Sequence, residues 1–256
     1  MRKGILLLVL LAAVGVAAQE MTVAAASDLN YALKDIASSF ETRTGKKIRL
    51  SFGSSGNLSV AIRNGAPYDV FFSADAEYAK GLVDAGLVLP GTFYTYAEGA
   101  IVLWVPKASK LDLKQGLAVL SDPAIRKIAI ANPRHAPYGR AAVAALRSAN
   151  LYDKVSSKFV LGENIAQTAQ FVQTGNADAG IVALSLALSP GMSAAGRYYV
   201  IPRDSYPRIE QAAVILKSAK DKAVAREFME FIKSPAATEI MKRYGFRQPT
   251  AKGTGG

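Results

Sequence analysis

Four short stretches of this chain carry residue types that could hold an anion. In Ser51-Phe52-Gly53-Ser54-Ser55-Gly56-Asn57-Leu58, an apolar run (Ile48, Leu50, Phe52) stops at glycines and serines, and a helix-patterned segment (Leu58, Ala61, Ile62) takes over. A strand that ends in small hydroxyl residues just before a helix presents free backbone N–H groups, hydroxyl donors and the positive end of the helix dipole at one spot. A single junction of this kind is common in α/β proteins. Here it recurs at residues 24–29 (Ala-Ala-Ala-Ser-Asp-Leu), at 132–139 (Asn-Pro-Arg-His-Ala-Pro-Tyr-Gly) and at 161–165 (Leu-Gly-Glu-Asn-Ile). The chemistry implied is recognition of an oxyanion by uncharged donors.

Catalytic patterns are weak by comparison. His135 is the one histidine, cysteine is absent, and Gly53-Ser54-Ser55-Gly56-Asn57 fails the nucleophile-elbow pattern because its fifth position is not glycine. No Walker loop, dinucleotide fingerprint or HExxH sequence occurs. His135 reads as a solvated loop residue, Asp69, Asp75 and Asp178 as caps and turn residues, and Arg140 as a surface group. The chain is therefore expected not to be an enzyme; a secreted esterase or hydrolase is the weakest alternative.

Around these stretches the sequence alternates strands and helices. Residues 21–26 read as a strand, and Ser27 as the N-cap of a helix carrying Leu29, Ala32, Leu33, Ile36, Ala37 and Phe40 up to Gly45. Strands at 47–52 and 69–73 and helices at 57–64 and 76–84 complete a βαβαβα unit, the signature of a parallel sheet with helices on its faces. The alternation starts afresh at residue 100: strands at 100–105, 127–131, 158–161, 180–184 and 198–201, with helices at 139–148 and 165–174. One further strand (211–216) and two helices (221–233 and 234–245) finish the chain. No internal repeat or low-complexity linker separates the two sets, so short crossings that can act as a hinge should join two lobes.

The first residues suggest export. Arg2 and Lys3 precede a 12-residue apolar run from Ile5 to Val16, and Ala17-Ala18 supply small residues for cleavage after Ala18. That run is shorter than the ~18 apolar residues of a membrane span. The remaining 238 residues are expected to be periplasmic, with no membrane insertion. Zero cysteines leave no disulfide, thiolate metal site or lipidated tether. The net charge of +11 comes from scattered bases, the close clusters being Lys46-Lys47-Arg49 and Lys242-Arg243. That distribution reads as a soluble basic surface, not a nucleic-acid groove.

Taken in order, Ala24-Ala25-Ala26-Ser27, Phe52-Gly53-Ser54-Ser55-Gly56, residues 65–75 (Gly-Ala-Pro-Tyr-Asp-Val-Phe-Phe-Ser-Ala-Asp), Asn132-Pro133 through Pro137-Tyr138-Gly139, Glu163-Asn164-Ile165 and residues 242–246 (Lys-Arg-Tyr-Gly-Phe) resemble the molybdate-binding periplasmic proteins of molybdate ABC importers. The resemblance covers essentially the whole chain after residue 18. It implies an α/β, two-lobed class II periplasmic binding protein, each lobe a mainly parallel sheet flanked by helices, with the ligand in the interlobe cleft. Lobe 1 would comprise residues 19–98 plus 203–256, and lobe 2 residues 99–202. The implied ligand is molybdate, or tungstate, and no cofactor is expected. The implied partner is the importer's membrane permease, and the chain is expected to be a monomer.

Carried onto matching positions, Ser27 and Ser55 would each give a hydroxyl and a backbone N–H, while Tyr138 and Ile165 would give backbone N–H groups, the Tyr138 ring merely packing. Any molybdenum would be held only as its oxyanion, through these same four residues. Some relatives add a tyrosine hydroxyl where this chain has Ala183, which leaves the fifth contact open. Asp28 would repel a dianion, and it is expected to sit in a first helical turn with its side chain turned away. Sulfate or phosphate is the alternative ligand, and the sensing module of a transcription regulator the alternative class.

Overall fold

The computed structural model describes residues 20–249, so the basic start, the apolar run and the cleavage position lie outside the described residues. Two five-stranded sheets organise the chain. The first set of elements is β1 (Met21–Ala26), α1 (Ala32–Thr44), β2 (Ile48–Gly53), α2 (Ser55–Arg63), β3 (Val70–Ser73), α3 (Ala76–Asp84) and β4 (Tyr94–Gly99). Then come β5 (Ile101–Pro106), β6 (Ile128–Ala131), α4 (Pro137–Ser148), α5 (Tyr152–Val155), β7 (Phe159–Gly162), α6 (Ile165–Gln173), β8 (Ala179–Ala183), α7 (Leu184–Ala187), α8 (Pro190–Ala195) and β9 (Gly196–Val200). The chain returns through β10 (Ile209–Ile215), α9 (Lys222–Ile232) and α10 (Pro235–Arg243).

The sheet orders are β2-β1-β3-β10-β4 and β7-β6-β8-β5-β9. In each, three parallel strands meet one antiparallel strand (β10 or β5), which pairs antiparallel with the fifth. Four of five strands in each sheet thus run one way. The chain passes between sheets twice, through Ala100 and through residues 201–208, which matches the expectation of short crossings.

Alternation across the first sheet explains why its strands read as uniformly apolar. Val23, Ala25, Val70, Phe72, Ala213 and Ile215 pack on one face with α1, α9 and α10; Ala24, Phe71, Ala212 and Val214 pack on the other with α2 and α3. Successive side chains point to opposite faces, so a strand buried on both must be apolar at every position. The second sheet centres on Trp104, Leu103, Ile130 and Ile181, all fully buried. β4 is a strand that local pattern does not announce. Its Tyr94-Thr95-Tyr96-Ala97-Glu98-Gly99 has no clean alternation, and pairing with β10 recruits it.

Two local expectations are corrected. Ser27 does not cap a long helix: Ser27–Leu29 is a three-residue 3-10 turn, and α1 begins only at Ala32 without a side-chain cap. The cap of α2 is Ser54, whose Oγ accepts the Asn57 N–H at 3.4 Å.

Candidate functional site

Ser27, Ser55, Tyr138 and Ile165 line one small cavity, together with Ala26, Asp28, Gly53, Ser54, Ala74, Ala136 and Pro137. Both halves of the molecule contribute: β1, β2 and α2 from the first sheet's set, α4 and α6 from the second's. The cavity's volume is about 10 Å³, on the order of one water-sized guest and far below the roughly 300–1,000 Å³ of clefts that take drug-sized molecules. No lysine or arginine is among its lining residues.

Each junction feeds donors into it for a local reason. The first N–H groups of a helix have no acceptor within that helix. In α6 the Asn164 side chain takes the Ala166 and Gln167 N–H groups, both at 3.0 Å, leaving that of Ile165. In α2 Ser54 takes Asn57, while the Gly56 N–H donates to the His135 carbonyl at 3.0 Å, leaving that of Ser55. In α4 the N1 residue Pro137 has no N–H and the cap residue Ala136 no capping side chain, so Tyr138 carries the leading free N–H. The Ser55 hydroxyl accepts from the Ala74 N–H at 2.9 Å, which leaves its proton to donate inward. Ser27 Oγ accepts from the Ala166 N–H at 3.3 Å and donates to Asn164 Oδ1 at 3.2 Å. That second bond is long, and Asn164 Oδ1 already accepts two N–H groups, so the hydroxyl can turn to a ligand at little cost. Asn164→Ala is expected to lower stability by about 1 kcal/mol through loss of the α6 cap; urea unfolding checks it.

Asp28 departs most from expectation. Expected in a first helical turn and turned away from the anion, it is 1 % exposed and lines the cavity, where Oδ2 accepts from the Tyr138 hydroxyl at 2.8 Å and from Gln211 Nε2 at 2.7 Å. Gln211 Oε1 accepts from the Tyr96 hydroxyl at 2.7 Å, and the Ser185 hydroxyl donates to the Asp28 main-chain carbonyl at 2.7 Å. Asp28 Oδ1 is buried and without a hydrogen-bond partner. Burial pushes this carboxyl up to about 6, against the opposing bonds from Gln211, from Tyr138 and from the main-chain N–H groups of Asp28 and Leu29. Burial and the neighbouring Asp28 charge hold the Tyr138 and Tyr96 phenols well above their ordinary value.

The Tyr138 ring therefore does more than pack: its hydroxyl ties Asp28 to Gln211, whose Nε2 lies 2.9 Å from it. Nothing in the spacing singled out Gln211 or Tyr96. The available signal was a glutamine heading the apolar run Ala212-Ala213-Val214-Ile215, which in a strand buried on both faces demands a partner.

A second group of contacts ties the two halves beside the cavity. His135 Nδ1 lies 3.0 Å from Ser54 Oγ and Nε2 3.4 Å from Glu163 Oε2, and Asn57 Nδ2 donates to the same Glu163 oxygen at 3.2 Å. His135 is thus a half-buried junction residue, not a solvated loop residue. Arg140 is exposed, as expected of a surface group, and outside the cavity wall it pairs with Asp75 and donates to the Tyr78 hydroxyl at 3.1 Å, joining the halves. Asp69, Asp75 and Asp178 each accept backbone N–H groups, as caps and turn residues do.

The profile of the bacterial extracellular solute-binding protein family matches residues 21–247. The chain belongs to that family. Among its relatives in the solute-binding family, the molybdate-binding protein ModA of Azotobacter vinelandii is 44% identical over 229 residues, covering 90% of each chain. The molybdate-binding protein ModA of Rhodobacter capsulatus is 37% identical over 241 residues, covering 94% of this chain and 93% of the relative. The solved periplasmic molybdate-binding protein of Azotobacter vinelandii superposes with a TM-score of 0.85 at 37% identity, covering 90% of this chain and 100% of that one. The two-lobed binding-protein architecture is shared with it.

Proposed function

We propose that this solute-binding protein is the molybdate-binding component of an ABC importer. The observation that carries the reading is that Ser27 and Ser55 of one lobe and Tyr138 and Ile165 of the other line one small cavity with no lysine or arginine, in a chain 44% identical to a molybdate-binding protein. In this reading Ser27 and Ser55 donate hydroxyl and main-chain hydrogens, and Tyr138 and Ile165 donate main-chain hydrogens, to the oxygens of one tetrahedral anion. Hydrogen bonds to a charged group contribute roughly 1.5–3 kcal/mol each, and partly buried helix N-termini up to about 2. Several of them around a desolvated dianion, less the cost of desolvation, are consistent with a net −8 to −12 kcal/mol, or roughly micromolar to nanomolar binding.

Tungstate shares the charge and shape of molybdate and is proposed as a second ligand. Sulfate is separated by cavity size. The lobes are taken as residues 19–98 with 203–256 and residues 99–202, which close on the anion and dock on a membrane permease; the chain acts as a monomer after cleavage near Ala18. Its role is carriage, not turnover. Ser55→Ala is expected to weaken molybdate binding by about 1–3 kcal/mol, read by calorimetric titration; an unaltered isotherm removes Ser55 from the site. A second reading, hydrogen phosphate, is favoured by one observation: a buried carboxyl in the cavity wall could accept the proton of that anion.

A further inference from the structure

Asp28 sits where a dianion carrier should hold no carboxylate. Of its two oxygens, Oδ2 is fully engaged by the Tyr138 hydroxyl and Gln211 Nε2, while Oδ1 is enclosed with nothing bonded to it. Both groups on Oδ2 are donors, so Oδ2 is an acceptor oxygen and any proton on the carboxyl belongs on Oδ1. A buried carboxylate with one bare oxygen beside a twofold negative guest would be doubly unfavourable, from desolvation and from repulsion. A carboxylic acid there is favourable, because Oδ1–H becomes a donor in a wall otherwise built of donors.

We propose, resting on the oxyanion-carrier reading above, that Asp28 is a specificity-determining residue that meets the dianion as a neutral acid, its Oδ1–H supplying the hydroxyl contact that Ala183 does not. At mildly alkaline pH, where the empty site is ionised, one proton is then taken from solvent for each dianion bound, and it stays on Asp28 until release. Tyr96, Gln211 and Tyr138 act as positioning residues that keep the acceptor oxygen turned away from the anion. The guest is held through its oxygens alone, and no protein group ligates its central atom.

Burial favours the neutral form and outweighs the hydrogen bonds from Gln211, Tyr138 and the Asp28 and Leu29 main chain, which favour the charged one. Burial already lifts this carboxyl to about 6 in the empty cavity, and a dianion would lift it further. The groups facing it are Tyr138 of α4 and Gln211 of β10, with Tyr96 of β4 behind Gln211 and Ser185 of α7 on its main-chain oxygen; none is a cation. Neither α6 nor α7 carries a charged residue. On α1, which also packs against this turn, Lys34 is exposed and Asp35 accepts from the Tyr244 hydroxyl. On α4, Arg140 is paired with Asp75, and Glu210 of β10 lies on the strand face opposite Gln211.

The test is calorimetric titration of the full chain with sodium molybdate between about pH 5 and pH 8, each pH run in two buffers of different ionisation enthalpy, with inorganic phosphate in parallel. The expected result is uptake of about one proton per molybdate near pH 8, declining toward none near pH 5, with affinity falling up to about tenfold per pH unit above 6. Asp28→Asn, which keeps an acceptor for Tyr138 and a donor toward the guest, should abolish both the uptake and the pH dependence. Molybdate binding near pH 8 without proton uptake, uptake that persists in Asp28→Asn, or phosphate preferred over molybdate would each overturn the proposal. Absence of molybdate heat at every pH would overturn the carrier reading as well; heat without uptake would overturn this inference alone.

Discussion

Substituting alanine for Gly56 is expected to weaken molybdate binding by about 2–4 kcal/mol, roughly 30- to 1,000-fold, while the unfolding of the ligand-free protein changes little. Gly56 is the second residue of α2, and its N–H donates across the lobe junction to the His135 carbonyl. A Cβ there would lie 2.7 Å from the His135 oxygen, 2.9 Å from the His135 Cβ and 2.9 Å from the Tyr78 hydroxyl. Backbone on the facing lobe cannot yield by that much, so the lobes must stand apart by several tenths of an ångström. The donors of Tyr138 and Ile165 then retreat from those of Ser27 and Ser55, and two or more charged hydrogen bonds lengthen together. The helix itself gains, since alanine is preferred to glycine in a helix by about 1 kcal/mol. Titration calorimetry with small-angle scattering distinguishes this outcome. Normal affinity with normal compaction on adding molybdate would show that the contact does not govern closure.

The second large effect lies within one lobe. Gly139→Ala is expected to cost about 3 kcal/mol of stability, or roughly 6–12 °C in Tm for a chain of this size. The added Cβ would fall 2.1 Å from the Ala131 carbonyl oxygen and 2.7 Å from its carbon, both in the backbone at the end of β6. The glycine lets α4 start directly against that strand end, which is what carries the Tyr138 N–H to the cavity. Overpacking against main chain is relieved only by shifting α4 or β6, so binding should fall along with stability. Thermal unfolding measures the first and titration the second; a Tm within 2 °C of the parent would refute the packing argument.

Much of this organisation was legible in the residues. Strands buried on both faces, such as residues 70–73 and 128–131, announce themselves by uniform apolarity, and the helices by their 3.6-residue spacing, with Asp75 read as a cap or turn residue and found capping α3. The four junctions were readable because strand-to-helix turns concentrate glycine, serine and asparagine for steric and capping reasons that are local. What escaped the sequence was set by distant partners. β4 exists because β10 pairs with it, and β10 follows β4 by over a hundred residues. Asp28 reads from sequence as a first-turn acid turned away from the anion, and it is Tyr138 and Gln211, 110 and 183 positions away, that hold it in the cavity wall. His135 resembled a loop residue until Ser54 and Glu163 enclosed it. Local chemistry fixes which groups can donate, and tertiary contact decides which of them face the guest.

In the proposed function, uncharged donors from both lobes enclose one tetrahedral dianion. The most direct test of this is calorimetric titration of the purified chain, near pH 6, with molybdate, tungstate, sulfate and phosphate in parallel. One molybdate or tungstate per chain is expected, bound in the roughly micromolar-to-nanomolar range, with sulfate much weaker and phosphate weaker still. Phosphate binding as tightly as molybdate, or molybdate giving no heat, would contradict it.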